Sequence, residues 1–588
     1  MRRYEPVVMS QSAQVYEFGD YQLDPAQRSL RARNGAPVSL SPKAFDTLAY
    51  LVQHAGTVLP KDELIRAIWP DTAVEENNLN QNISLLRRAL GEGHGGQRYI
   101  ATVPGRGFQF IAAVRIAVVA MEPEAAEEPA IAVLPFVNVS DDPEYEFFGD
   151  GLAEELINAL SKLDQMRVVA RTSAFSFKGK RTDIRNIAER LGVRFVLEGS
   201  VRKSGNRLRV TAQLVNAADG CHLWSERYDR EMDIGDIFQV QDEITLAVMN
   251  ALRLKLPGQG RLPVLKRHTE NIRAHELYLK GRFHLFRMSP SGIKAGTAYF
   301  QEAIQTDPSD AHAHIGLAHA YRMFALSLEM VPGEVLPKAV ATAKRAIELD
   351  GNVAEAHAVL GFNIFWSDWN WKAAGKQFHR AVQLNPNSAD THWMYAHLLS
   401  NTGHHADALA EVAHARQLDP LSGLIAAMEG QFLLHASQTD EAMARLHEAL
   451  ELDANSRVAH AFAASAYIEK GLWGEAADEA GAARALSPGN AGAMALEAYA
   501  EARLGRRDNA RAIFDELLQL CEKRHVPPYH IAIICQGLGD SGEALNWLER
   551  GFEQRDPRMV FLKVDPKWKS LHDDLRYVSL LRRMNLLA

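Results

Sequence analysis

A chain of 588 residues, 47% hydrophobic and 23% charged, has the make-up of a soluble globular protein with room for about four domains. Its formal net charge of −8 excludes a polycation, so any nucleic-acid binding has to come from a local basic patch. Cys221, Cys521 and Cys535 stand in no metal-ligand spacing, and so few cysteines point to a reducing compartment rather than a disulfide framework. The N-terminus "MRRYEPVVMSQSAQ" lacks the apolar core of a secretory signal. "FIAAVRIAVVAM" (110–121) is far short of the roughly 20 residues that a membrane helix needs. The expectation is a cytoplasmic protein with no membrane partner.

From 15 to 116 the pattern predicts short strands, three helices and a hairpin. "VYEFGDYQLD" and "RSLRARNGAPVSLS" alternate as strands, with a turn at Asn34-Gly35. Ser41 and Pro42 predict a helix start, with the serine as cap. That helix sets Phe45, Leu48, Leu51 and Val52 on one face and stops at Gly56. "KDELIRAIWP" predicts a second helix, closed by Pro70, and "ENNLNQNISLLRRALG" a third.

In the third helix Leu79, Ile83, Leu86 and Leu90 form an inward stripe. The opposite face carries Asn77, Gln81, Ser84, Leu85 and Arg88, flanked by Asn78, Asn80, Asn82 and Arg87. Asparagine is a poor helix former, so something other than propensity places this run. Side-chain amides can read adenine edges, and arginine can read guanine or hold phosphate. A solvated face with a long N-terminal cap explains the residues equally well.

The hairpin is "YIATVPGRGFQF" (99–110), two strand-like arms around a Pro-Gly-Arg-Gly tip. With "LSPKAFDTLAYLVQHAGTVLPKDELIRAIWP" and "NNLNQNISLLRRAL" before it, this order resembles the winged helix-turn-helix DNA-binding domain of the OmpR family, and most closely the CadC and ToxR-like branch. The resemblance implies that the third helix lies in the major groove of promoter DNA and the hairpin wing in the adjacent minor groove. By position it implies helix contacts from Asn77, Asn82, Ser84, Leu85 and Arg87, and a phosphate contact from Thr102. Gln81 and Arg88 join them as candidates on the same exposed face. Many members of the family have arginine where this chain has Pro104; here Arg106, two positions later, takes the minor groove or a phosphate. Leu85 replaces a frequent basic residue, giving either a thymine-methyl contact or a lost one. Residues 1 to 110 hold 12 Lys/Arg and 11 Asp/Glu, a net of +1. Tight binding then calls for a homodimer on DNA or clustered sites. With about 14 residues before the first strand, no phosphoacceptor receiver is expected ahead of the domain.

Residues 117–129 include "EPEAAEEP", an acidic, proline-bounded linker. From 130 to 256, "IAVLPFVNVS", "DGLAEELINALSKL", "MRVVAR", "DIRNIAERLG" and a hairpin turning at Ser204-Gly205-Asn206 predict an α/β sandwich. It resembles a TolB N-terminal-like or FlgO-like domain, a kind also found fused to cyclases and kinases. Gly149-Asp150-Gly151 is read as a helix start with Asp150 as cap, because it lacks the lysine and spacing of a P-loop. No catalytic arrangement, cofactor or metal site stands out.

After a Gly- and Pro-rich linker (257–272), residues 273–560 repeat. Asp307-Pro308, Asp350-Gly351, Asn385-Pro386, Asp419-Pro420, Asp453-Ala454 and Ser487-Pro488 are spaced 43, 35, 34, 34 and 34 residues apart. Ala339, Ala374, Ala408, Ala442, Ala476 and Ala510 keep the same beat, as do Ala303, Ala346, Ala381, Ala415, Ala449 and Ala483. This resembles tetratricopeptide repeats, a solenoid of helix pairs crossing at small residues. The resemblance implies a groove for a protein or peptide partner, with residues 561–588 as a C-terminal cap. "LSLEMVPGEV" supplies an insertion of about nine residues. Trp366, Trp369 and Trp371 are read as packing residues, and His312, His314 and His319 are not spaced as a metal site.

The fold expected is therefore multidomain and mainly α: a winged helix, an α/β sandwich and an α-solenoid. The function expected is a sequence-specific transcriptional regulator that is not an enzyme. The alternatives are a nucleotide-processing enzyme through the α/β domain and a repeat scaffold without DNA binding.

Overall fold

The structure, a computed structural model, describes residues 14–587 except 26–28, 33–37, 39, 41, 69–75, 93–97, 119–128, 141–144, 164–165, 205–206, 232–233, 253–268, 287–288 and 328–330. The chain divides into two compact units, residues 1–127 and 128–588.

In the first unit, β1 (Gln14–Phe18) and β2 (Tyr21–Asp24) turn at Gly19, whose φ of +53° suits glycine. A Cβ at Gly19 would lie 2.5 Å from the Tyr99 hydroxyl. Next come β3 (Ser29–Ala32), α1 (Pro42–Gln53), β4 (Val58–Leu59) and α2 (Lys61–Ile68). They are followed by α3 (Glu76–Ala89), β5 (Ile100–Val103), β6 (Gly107–Phe110) and β7 (Val114–Val118). One sheet runs β3-β2-β1-β7, all antiparallel, and a second runs β4-β6-β5. The strand β7 thus ends at 118, and its pairing with β1 brings the two ends of the unit together. Leu48, Leu51, Leu64, Leu79, Leu86 and Phe110 fill the core between the helices and both sheets. The Asn34-Gly35 turn and the Ser41 cap lie outside the described residues.

The second unit opens with β8 (Ala130–Val133), β9 (Val137–Asn138), α4 (Glu146–Leu160), β10 (Arg167–Val168) and α5 (Arg171–Phe175). Then follow α6 (Ile184–Leu191), β11 (Phe195–Ser204), β12 (Arg207–Asn216), β13 (Cys221–Glu231) and α7 (Ile234–Ala251). The sheet order is β10-β8-β11-β12-β13, with β9 on β11. Pairs β8–β10 and β8–β11 are parallel, and the β11-β12-β13 meander is antiparallel. Of the predicted hairpin turn, Gly205 and Asn206 lie outside the described residues.

One expectation is corrected here: Asp150 does not cap α4. The helix starts four residues earlier, at Glu146, with Tyr145 in the cap position. Gly149 and Gly151 sit inside it because a Cβ at either would strike a neighbour, the Phe136 carbonyl oxygen at 2.5 Å or Leu279 at 2.7 Å. The two glycines let the helix approach closely; they do not mark its beginning.

The repeats pair α8 (Ile272–Leu285) with α9 (Pro290–Thr306) and α10 (Ala311–Ser327) with α11 (Pro332–Leu349). Next are α12 (Ala354–Ser367) with α13 (Trp371–Leu384) and α14 (Ala389–Thr402) with α15 (His405–Leu418). Then come α16 (Gly423–His435) with α17 (Thr439–Leu452) and α18 (Arg457–Lys470) with α19 (Trp473–Leu486). The last pairs are α20 (Ala491–Arg503) with α21 (Arg507–Cys521) and α22 (Pro528–Leu538) with α23 (Ser541–Glu553). Two short 3-10 helices (Pro557–Phe561 and Pro566–Leu571) and α24 (Leu575–Arg583) end the chain.

Both alanine series are completely buried at the crossings, where a larger side chain would push the helices apart. The insertion lengthens the second pair: α10 and α11 have 17 and 18 residues, against 14 in each of the next four helices. A further beat of 34 was not read from the sequence. Trp369, Gly403, Ser437, Gly471, Gly505 and Gly539 all take positive φ at the turn inside a pair.

The α/β module and the repeats share one unit, and the repeat turns hold them together. Ala170 donates its N–H to the Leu418 carbonyl (2.8 Å), and Arg167 donates to that of Gln417 (2.9 Å). Asp419 accepts from both the N–H and the hydroxyl of Ser173 (2.8 and 2.5 Å). Asn385 and Asn387 donate to the Ser161 hydroxyl and carbonyl (3.0 and 3.1 Å). Two of the turn pairs that mark the repeat thus also carry the docked module.

Candidate nucleic-acid interface

The stripe Leu79, Ile83, Leu86 and Leu90 is buried, which fixes the rotation of α3 about its axis. Gln81, Ser84, Leu85 and Arg88 consequently face outward and are exposed. Leu85 is 47% exposed, an apolar side chain left among polar ones. Asn77 lies in the first turn of α3, and its side chain is outside the described residues.

Two candidates from this helix are placed differently than expected. Asn82 is only 8% exposed, and its amide donates to the Thr47 hydroxyl of α1 at 3.4 Å. It sits three residues after Leu79 and one before Ile83, so helical geometry carries it to the edge of the inward stripe. Its amide belongs to the α1–α3 contact. Arg87 is half-buried and turned toward the hairpin, where it donates to the Ile100 carbonyl (3.0 Å) and the Thr102 hydroxyl (2.8 Å). Its Nε lies 3.5 Å from Glu92, whose carboxylate also accepts the N–H groups of Tyr99 (2.5 Å) and Ile100 (2.7 Å). Arg87, Glu92 and Thr102 therefore clamp the end of α3 to β5, and set the spacing between helix and wing.

The wing tip is a tight turn in which Arg106 N–H donates to the Val103 carbonyl (3.0 Å). Proline at the second position and Gly105 at the third, with φ +70°, are the residues of a type II turn. Gly107 has φ +146°, and a Cβ there would lie 1.9 Å from the Leu59 carbonyl oxygen. Gly107 thus lets β6 press against β4. Gln109 adds a bond to the Gly56 carbonyl (2.7 Å), tying the wing to the end of α1. The side chains of Arg88 and Arg106 are exposed and make no ion pair or hydrogen bond among the described residues. A helix face with an amide, a hydroxyl, a leucine and an arginine unpaired among the described residues, beside a hairpin tipped by a second such arginine, is equipped for base edges and phosphates.

The Gly149-Asp150-Gly151 stretch does not form a second site. Lys178 binds both Asp150 oxygens at 2.7 Å and Glu146 at 2.7 Å. Burial holds the Asp150 carboxyl above its usual range, against the pull of Lys178. Among the described residues no group of three or more His, Cys, Asp or Glu is arranged to hold a metal. None of their helices is long and apolar enough to cross a membrane.

Comparison with known proteins matches two family models: "Transcriptional regulatory protein, C terminal" over residues 35–110, and "HilA/YgeH-like transcriptional regulator, second domain" over 127–246. The chain is 38% identical over 245 residues to the putative adenylate cyclase 3 of Rhizobium meliloti, covering 42% of this chain and 41% of that protein. It is 26% identical over 428 residues to the transcriptional regulator HilA of Salmonella typhimurium, covering 71% and 73% of the two chains. The chain thus spans about two fifths of one of these relatives and about three quarters of the other. Among solved structures, the DNA-binding domain of Escherichia coli CadC is 33% identical, covering 18% of this chain and 98% of that one with a TM-score of 0.17. Residues 35–110 are accordingly a winged-helix DNA-binding domain of the transcriptional-regulator C-terminal family, in a chain that carries helix-pair repeats and is similar to the HilA regulator and, at 36% identity over 101 residues, to the transcriptional activator CadC of Escherichia coli.

Proposed function

We propose that this protein is a non-enzymatic, sequence-specific transcriptional regulator that lays α3 in the major groove and the β5–β6 wing against the neighbouring minor groove. The observation that carries this reading is the pair of exposed arginines without an ion pair among the described residues, Arg88 on the helix and Arg106 on the wing, on two elements joined by the Arg87–Glu92 clamp. Arg88 reads guanine or holds a phosphate, Gln81 reads a base edge, Leu85 packs on a thymine methyl group, and Arg106 enters the minor groove. Arg87 and Thr102 act by positioning. The unit's net charge is small, so tight binding comes from two copies on DNA or from clustered sites. The α/β module and the repeats form the signal-receiving body, in which the repeats take a partner. The similarity to HilA, a transcriptional regulator by its printed name, supports this reading over most of the chain. The test is binding of the full-length protein to the DNA upstream of its own gene. Binding with a clear sequence preference supports the proposal, and equal affinity for that DNA and random duplex overturns it.

A further inference from the structure

The first helices of the successive repeats, α10 through α22, line one cavity of about 540 Å³ along the inside of the array. This space is partly covered. The C-terminal segment crosses back to the early repeats: Asn401 donates to the Val560 carbonyl (3.0 Å) and Lys563 to that of Thr402 (2.7 Å). Trp371 donates its indole N–H to the Met584 carbonyl (2.8 Å). Thr172 of the docked α/β module also lines the cavity. Space of this size, bounded on several sides, suits a small molecule rather than an extended chain.

The walls are largely aromatic and aliphatic, with Phe362, Trp366, Trp393 and Phe462 among them, yet four arginines, Arg282, Arg322, Arg457 and Arg558, reach the same space, the last of them under the charge of Asp556. Arg282 is neutralised, because it bridges Glu154 and Glu355. Arg322 is not. It is 9% exposed, and among the described residues its guanidinium meets His319 Nδ1 (3.0 Å), the Met394 sulfur (3.5 Å) and the face of Phe362 (5.0 Å). Asp390, which accepts from the Trp393 indole (2.9 Å), and Glu355, shared by Arg282 and His319, act on Arg322 from a distance without forming an ion pair with it. Burial pushes the Arg322 guanidinium down to about 10. Arg457, half-buried, makes no ion pair among the described residues, and burial lowers it too. Arg322 Nε, Gln431 Oε1 and His530 Nδ1 are buried polar atoms on this lining without a hydrogen-bond partner among the described residues. A buried cation with no carboxylate in direct contact costs roughly several kcal/mol of desolvation, which an anion in the cavity would offset.

We propose that this cavity binds a small amphipathic organic anion, its acidic group drawn by the surplus positive charge of Arg322 and Arg457 and its apolar body against the aromatic wall. The site is independent of the DNA-binding reading. The docked Thr172 gives the bound molecule a contact with the α/β module, and so a route by which occupancy reaches it.

The probe is 8-anilinonaphthalene-1-sulfonate, with N-phenyl-1-naphthylamine as the same skeleton lacking the sulfonate. Both are titrated by fluorescence into the full-length protein and its Arg322→Met and Arg457→Met variants. Expected is saturable one-to-one binding of the sulfonate, weakened at least tenfold in each variant, with the neutral analogue unchanged. Absence of saturable binding, or equal weakening of both probes, overturns the proposal. Thermal melting without ligand provides the second reading. Each variant removes a charge that no carboxylate contacts directly and should melt at or above wild type. If both melt well below it, the guanidinium groups already have partners in the free protein, and the proposal fails.

Discussion

Arg88 and Arg106 stand in water on the winged-helix unit, whereas Arg322 is nine-tenths buried inside the repeats, and among the described residues none of the three forms an ion pair with a carboxylate. Leaving an exposed guanidinium unpaired costs almost nothing, so on the winged helix its meaning comes from position: a recognition-helix face and a wing tip. In the repeats a guanidinium with no carboxylate in direct contact is expensive, and that expense is the ground for the proposed anion site. Arg87 and Arg282 are the internal controls. Each is tied to a carboxylate of its own unit, Arg87 to Glu92 and Arg282 to Glu154 and Glu355, and each acts as a structural brace.

The comparison can be broken at the brace and at the wing. Gly107→Ala should have the largest effect, because its Cβ would lie 1.9 Å from the Leu59 carbonyl oxygen at a φ of +146°. The expected loss is about 3 kcal/mol in the first unit. Gly105→Ala, with open space around it, should cost about 1 kcal/mol. Chemical denaturation of the two variants checks the order, and equal losses would contradict the close approach of β6 to β4.

On the repeat side His397 supplies the pH dependence. Burial among Phe362, Phe365, Trp366 and Phe432, helped by the charge of Arg558, lowers its ring from 6.5 to about 4. The neutral ring is therefore compatible with the fold above pH 6.5, and its contribution is lost as pH falls through 4. Relative to wild type, His397→Leu should gain about 2.5 kcal/mol between neutral pH and about pH 4.5. Melting of both proteins at the two pH values measures this, and a constant difference would rule out the buried neutral ring.

Arg87→Met should cost about 2 kcal/mol, since it leaves Glu92 without its cation and Ile100 without its donor. It should also lower DNA affinity without touching DNA. If affinity falls while stability does not, Arg87 is a direct contact and the clamp reading is wrong. The smallest change is a gain. Ser437 is exposed and holds φ +62° where Gly403, Gly471, Gly505 and Gly539 stand in other repeats. Ser437→Gly should stabilise the second unit by about 1 kcal/mol in a thermal melt.

What the sequence made legible was set by local periodicity. The leucine stripe of α3 and the two alanine series follow from helical spacing, and the structure buries every one of those residues. Asn82 was misplaced because it sits at the margin between the stripe and the outer face, where spacing alone does not decide. The role of Arg87 depends on Ile100, Thr102 and Glu92, contacts that no helical pattern encodes. The same holds for Asp150, whose flanking glycines serve Phe136 and Leu279 and not a helix start. Trp366 packs as expected, yet it also lines the cavity, which exists only because the C-terminal segment returns to residues more than 150 positions earlier.

The most direct test of the central claim is a salt series of DNA binding by the full-length protein, Arg88→Ala and Arg106→Ala. Saturable binding is predicted, weakened about tenfold by each change, with a phosphate-contacting arginine also reducing the salt slope by about one. No saturable binding at low salt, or binding untouched by either change, would contradict a winged helix that reads DNA through these two arginines.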